Sequence, residues 1–235
     1  MLGSGFVALV VLFVFAGIGL VVYSLVQAAK RRQEMATYAL SRGWRYEAEQ
    51  PMLVDRFTGA PFGIGSDRHA GNAVYGQHDG RDFVSFDYQY ETTSGSGDDR
   101  RTTTHDFSVL ALSMGVSLPS LRVDPENFIE RVVGRVTNSD IELELEDFNR
   151  AFTVSCPDRK FASDVLHPQM MEFLLQHRSV GWRFERDSML MVSDAKRSIA
   201  QIDATLALMD QISDRIPDFV WRQVREPRNQ QGGPA

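Results

Sequence analysis

One cysteine, no charged residue in the first 29 positions, and no familiar catalytic signature: the sequence is first defined by what it lacks. A lone Cys156 rules out an internal disulfide framework, as expected in a reducing compartment. None of His69, His78, His105, His167 and His177 sits in HExxH or at zinc spacing from a cysteine. There is no GxSxG elbow and no GK[ST] phosphate loop. GAPFGIGSDRHAG holds a Gly-x-Gly, but without dinucleotide spacing or a preceding apolar strand. The net charge of −6 disfavours nucleic acid, which needs a basic surface. These absences imply no catalytic residue, no cofactor-binding residue and no metal ligand.

The missing charge at the start is matched by an apolar run. Residues 6–26, FVALVVLFVFAGIGLVVYSLV, carry none. As a helix they extend about 30 Å, the thickness of a bilayer's hydrocarbon core. A cleavable signal peptide would have a basic start and a shorter apolar core, so the run reads as a transmembrane anchor. Lys30, Arg31 and Arg32 follow it and nothing basic precedes it. The positive-inside rule then puts the N-terminus outside and the rest in the cytoplasm, on the inner membrane. The lipid bilayer is the partner of residues 6–26. The basic collar reads as a topology signal, and alone it is a poor case for headgroup recognition.

The expected organisation is an anchor over 1–29, a juxtamembrane helix over 30–43, a cytoplasmic domain over 44–224 and a disordered tail over 225–235. In the juxtamembrane helix, Met35, Ala39 and Leu40 share one face and Gly43 is the stop. GWRYEAEQ reads as a short strand and GAPFGIG (59–65) as a loop. NAVYGQ and DFVSFDYQYET form a hairpin about Asp79-Gly80. In the return strand Val84, Phe86, Tyr88 and Tyr90 face inward, and Ser85, Asp87, Gln89 and Glu91 face water. SGSGDD (94–99) is a flexible acidic loop, and RTTTHDFSVLALSM runs back with His105, Phe107, Val109 and Ala111 on one face.

LPSLRVDP reads as a connection into a helix, ENFIERVVGRV, beginning near Asp124 or Pro125. DIELELED (140–147) and FNRAFTVSC read as strands, PQMMEFLLQ as a helix, and GWRFERDSMLMVSD as a hairpin turning at Arg186-Asp187. Ile199, Ile202, Leu206, Met209 and Ile212 mark an amphipathic C-terminal helix that Pro217 ends. The class is α+β with mostly antiparallel sheet. Strands followed by one C-terminal helix are also the plan of pleckstrin-homology-like domains.

In DIELELED, Glu142, Glu144 and Glu146 recur with period two. On a strand they share one face, spaced about 6.5–7 Å apart. Buried and unpaired, they would be costly; solvated, they need no partner. The expectation is that they face water while Ile141, Leu143 and Leu145 face inward. His78, Asp79, His105 and Asp106 are adjacent only in sequence, which on a strand points neighbours to opposite faces.

Three stretches, AGNAVYGQHDGRDFVSFDYQY (70–90), HDFSVLALSM (105–114) and LEDFNRAFTVSCPDRKFASDVLHPQMMEFLL (145–175), carry a resemblance. Their ordered set resembles an uncharacterised family of bacterial membrane-anchored proteins known only as a domain of unknown function. The last stretch matches most specifically, through Phe148, Phe152, Val154, Asp158, Ala162, Leu166, Pro168, Met171 and Glu172. The family has Thr before that proline, where this chain has His167, so a hydroxyl cap is lost there. The resemblance covers about residues 65–195 and implies an anchored architecture without assigned catalytic residues. The expected function is a non-enzymatic domain binding a protein or peptide partner at the membrane. The alternative is a membrane-anchored, hydrolase-like enzyme.

Overall fold

The computed structural model describes residues 2–126 and 141–226. Most of the expected helix ENFIERVVGRV, Asp140 and the tail beyond Glu226 lie outside these residues.

Anchor and juxtamembrane helix are one element. Helix α1 (Leu2–Ser41) runs 40 residues without a break. Its large apolar side chains from Val11 to Val26 are all exposed, Leu12 at 66% and Phe15 at 68%. Lipid is the solvent that suits such a surface. The helix meets the domain only beyond Lys30, where Met35 and Ala39 are fully buried and Tyr38 nearly so. Leu40, expected on that face, is 76% exposed. It sits one position, about 100° of helix, beyond Ala39, and Tyr38 takes the inward place. The end is a Schellman turn. Gly43 takes φ +68°, its N–H donates to the Leu40 carbonyl at 3.1 Å, and the Trp44 N–H donates to Ala39 at 2.8 Å.

Strands β1 (Arg45–Glu49), β2 (Ser66–His78), β3 (Arg81–Ser94), β4 (Arg101–Ser113) and β5 (Leu121–Pro125) come next. Helix α2 (Glu146–Ala151), strand β6 (Phe152–Ser155), and helices α3 (Arg159–Val165) and α4 (Pro168–Leu175) follow. The hairpin β7 (Trp182–Glu185) and β8 (Ser188–Ser193) leads into α5 (Ile199–Arg215) and α6 (Asp218–Arg225). All eight strands form one antiparallel sheet, in the order β1-β2-β3-β4-β8-β7-β5-β6. The fold is thus α+β, with an apolar N-terminal helix, an antiparallel sheet and helices at the C-terminal end.

The sheet has a core on each face. One is built from Leu53, Phe57 and Phe62 against Phe86, Tyr88, Phe107 and Val109. The other joins the inner half of α1 to α5 and to the aromatic residues of α2–α4. Arg183 holds the loop over the first core, donating to the carbonyls of Thr58 and Ala60 at 2.8 Å each. This double cover overturns the half-buried reading of β3, since Ser85 and Asp87 are 1% and 7% exposed. Alternation is present, but α1 lies over the face expected to be wet.

Four further expectations change. LRVDP, expected as a connection, is strand β5, with Pro125 as its last residue paired to Phe152; the helical residue Glu126 follows it directly. FNRA belongs to α2, and only FTVS forms a strand. Residues 141–145 are irregular rather than a strand. There the Asn149 amide stands in for a strand partner, accepting from the Leu143 N–H at 3.0 Å and donating to its carbonyl at 2.7 Å. Beyond Pro217 a further helix, α6, buries Val220. The two hairpins turn where expected, at Asp79-Gly80 and at Arg186-Asp187, with φ of +48°, +73° and +56° at Asp79, Gly80 and Arg186. Ile202, Leu206, Met209 and Ile212 of α5 are fully buried.

Candidate binding cleft beside the anchor helix

A cleft of about 620 Å³ opens where α1 leaves its apolar run and crosses the sheet. Its floor is built around Asp87. Arg31 reaches down from α1 and grips that carboxylate with two bonds, Nη2 to Oδ1 at 3.0 Å and Nε to Oδ2 at 3.2 Å. Asn72 donates to Oδ2 at 3.0 Å, and Tyr46 donates to the Asn72 Oδ1 at 2.9 Å. Asn72 sits at φ +49° in an irregular stretch of the β2–β3 register. Asn tolerates that backbone region, and a bulge re-aims the side chain it carries.

The walls are charged pairs. Arg32 meets Glu49 at 3.0 Å, His69 meets the other oxygen of Glu49 at 2.9 Å, and Lys196 meets Asp106 at 3.1 Å. Lys30 and Glu34 stand further apart, at 3.8 Å. Lys30, Arg31, Arg32 and Lys196 thus face Glu34, Glu49, Asp87 and Asp106, and the cleft is balanced in fixed charge.

A second groove, also about 620 Å³, lies at the far end of α1. Trp44 forms one wall, edge-on to Phe83 at 4.8 Å and to Tyr38 at 5.4 Å. Arg42 lies over Trp44 at 5.0 Å and Arg45 over Tyr75 at 4.3 Å. Gly76 makes room for the indole: a Cβ there would come within 2.6 Å of the ring. Two aspartates of α5 tie this end down. Asp203 accepts from Tyr38 and Arg42, each at 2.7 Å, while Asp210 pairs with His78 at 2.5 Å and with Arg81 at 2.6 Å.

The groups that motivate an enzymatic reading stand in separate places. His78 is on Asp210, not on Asp79, whose side chain is 78% exposed. His105 bonds Thr92 at 2.8 Å and stacks on Tyr90, and Asp106 pairs with Lys196. Glu142, Glu144 and Glu146 are exposed, Leu143 and Leu145 are less so, and Ile141 is buried. Among the described residues no group of three or more His, Cys, Asp and Glu side chains is placed to hold a metal. Cys156 is buried, its thiol directed at the Asp158 carbonyl at 3.1 Å, and burial raises its pKa. His167 caps nothing with its ring, which instead reaches the Arg215 carbonyl at 3.0 Å. Arg183 and Arg197 are buried cations, and desolvation pulls each guanidinium down to about 10.

Sequence reading passed over Asp87, Asn72 and Tyr46, taking the first for a solvated position. The signal available was Arg31, a cation one helical turn past the apolar run, at the height where any covering element would need a carboxylate.

No family model matches the chain, and no curated protein matches it. Among solved structures, the mycobacterial trehalose monomycolate transport factor A is similar, with a TM-score of 0.54 at 16% identity over 80% of this chain and 96% of that one. At that identity the likeness is one of fold.

Proposed function

We propose that this is a single-pass inner-membrane protein whose domain faces the cytoplasm and binds a protein partner at the membrane surface, without catalysing a reaction. One observation carries the reading. Helix α1 passes unbroken from its lipid-exposed half into the core, so the domain's surfaces are held at a fixed height above the bilayer. A partner must come to them there. The charged groups of the cleft neutralise one another instead of standing poised for proton transfer. The fold likeness to a transport factor supports a binding role. The resemblance of residues 65–195 to the uncharacterised bacterial family belongs to the same proposal.

The Trp44 groove is the surface best suited to the partner. It combines Trp44, Tyr75, Arg42 and Arg45, residue types that dominate binding energy at protein interfaces. A photo-crosslinker in place of the exposed Gln77 should yield a discrete protein adduct in cells, lost in Arg45→Glu. The same adduct from a crosslinker at the exposed Met52, or none from Gln77, would count against the groove. Orientation is read separately. A cysteine at Ser4 should take a membrane-impermeant maleimide in intact cells and one at Met52 should not. The buried Cys156 gives little background.

A further inference from the structure

Between residues 6 and 29 the anchor helix carries three polar side chains, Tyr23, Ser24 and Gln27. All three line the cleft beside Asp87. Positions 23, 27, 31 and 34 recur at helical spacing, so one polar stripe climbs the apolar helix and continues through Arg31 and Glu34. Tyr23 to Gln27 lie within about 6 Å of axial rise around the end of the apolar run. That matches the headgroup layer, roughly 5–8 Å deep on each side of the hydrocarbon core. The cleft therefore opens sideways at the height where lipid headgroups stand.

From this we infer that the cleft takes the headgroup of a membrane lipid, and that the headgroup is zwitterionic, carrying an amine and a phosphate. The charge count selects the class. Arg31 is spent on Asp87 and Arg32 on Glu49, so a plain anion would find each of these cations already neutralised. A zwitterion brings both signs and can intercalate without leaving a charge unpaired. The widest pair, Lys30 and Glu34 at 3.8 Å, is the place to open. The phosphate goes to Lys30 and the Gln27 amide, and the ammonium to Glu34. Ser24 donates to the Val21 carbonyl at 2.8 Å and keeps its lone pairs as acceptors toward the cleft. The acyl chains stay in the bilayer beside α1. A neighbouring helix on the stripe is the competing occupant, but it would leave unfilled the cavity into which the stripe leads. This inference needs the anchor and is independent of the protein partner above.

The test is native mass spectrometry of the full-length protein in detergent, titrated with phosphatidylethanolamine, phosphatidylglycerol or soluble glycerophosphoethanolamine. One phosphatidylethanolamine should be retained about tenfold more strongly than phosphatidylglycerol, as one or two polar contacts allow. The double variant Ser24→Leu, Gln27→Leu should lower that retention about tenfold with the domain's melting unchanged. Lys30→Ala with Glu34→Ala should do the same from the domain side, outside the apolar run. Equal retention of the two lipids, or undiminished retention in both double variants, would overturn the site. So would equal binding of the soluble headgroup, or a protein crosslink from residues 23 and 27.

Discussion

The two ends of the contact between α1 and the domain are made from opposite chemistry. At the membrane-distal end, Met35, Tyr38 and Ala39 are buried among apolar and aromatic neighbours, and Trp44 locks the exit of the chain. At the membrane-proximal end the helix touches the sheet through Arg31, Asp87 and Asn72, beside an open cleft. Apolar burial is non-directional and scales with area, so the distal end supplies stability. Ion pairs return little net energy after desolvation but fix geometry. The proximal end therefore sets where α1 stands over the sheet, and it keeps a polar cavity open beside the helix.

The largest effect expected from this contrast is at Met35. Met35→Ala removes a fully buried side chain and should cost about 3 kcal/mol. In a domain of this size that lowers the melting temperature by roughly 6–12 °C. Tryptophan fluorescence of the full-length protein in detergent reads it. A shift no greater than that of an exposed control such as Leu40→Ala would break the assignment of stability to the distal end.

Next comes the proximal pair. Asp87→Asn leaves Arg31, 15% exposed, without its counter-charge. Breaking a buried pair costs about 3–5 kcal/mol in a dry interior, and the open cleft reduces this to about 2 kcal/mol. The double variant Arg31→Met, Asp87→Leu should recover most of the loss, because no charge is then stranded. Stability recovered together with lost lipid retention would separate positioning from stabilisation. A double variant as unstable as Asp87→Asn would erase the difference between the ends.

How much of this could be read in the sequence follows from what each signal measures. The apolar run, both hairpins and the α5 stripe were legible because short-range rules fix them: length against bilayer thickness, two turn residues with positive φ, and a 3.6-residue period. The period-two pattern of β3 was legible as well, but a period does not say what lies on top. Asp87 and Glu144 both occupied polar positions of an alternating run. Asp87 is covered by a helix dozens of residues away in sequence, and Glu144 is not covered. β5 and α2 escaped for another reason. LRVDP is short and ends in proline, which a strand tolerates at its end, and the aromatic spacing of FNRAF suits a helical turn as well as a strand. The cleft was hidden because its floor and its walls come from α1, β1–β4 and the β8–α5 connection.

A smaller test returns to the distal end. Gly76→Ala puts a methyl group within 2.6 Å of the Trp44 ring. The indole has to shift, losing its edge contact with Phe83, at a cost of about 1 kcal/mol. The emission of Trp44 should move with it, and the adduct from Gln77 should weaken. Unchanged emission would mean that Trp44 is not held by the strand beneath it.

The smallest effect sets the zero of the scale. Glu142→Gln with Glu144→Gln removes two exposed carboxylates from the irregular stretch before α2. Surface changes away from caps and pairs stay within about 0.5 kcal/mol. Their neighbours are fixed by other means, Ile141 through its N–H to the Val154 carbonyl at 3.0 Å and Leu143 through Asn149. The double variant should melt like the parent, and calcium should shift neither protein. A calcium-dependent rise in the parent alone would make the acidic row a site. It would then join Asp87 as a carboxylate with a partner, and the contrast between covered and solvated acids would have to be redrawn.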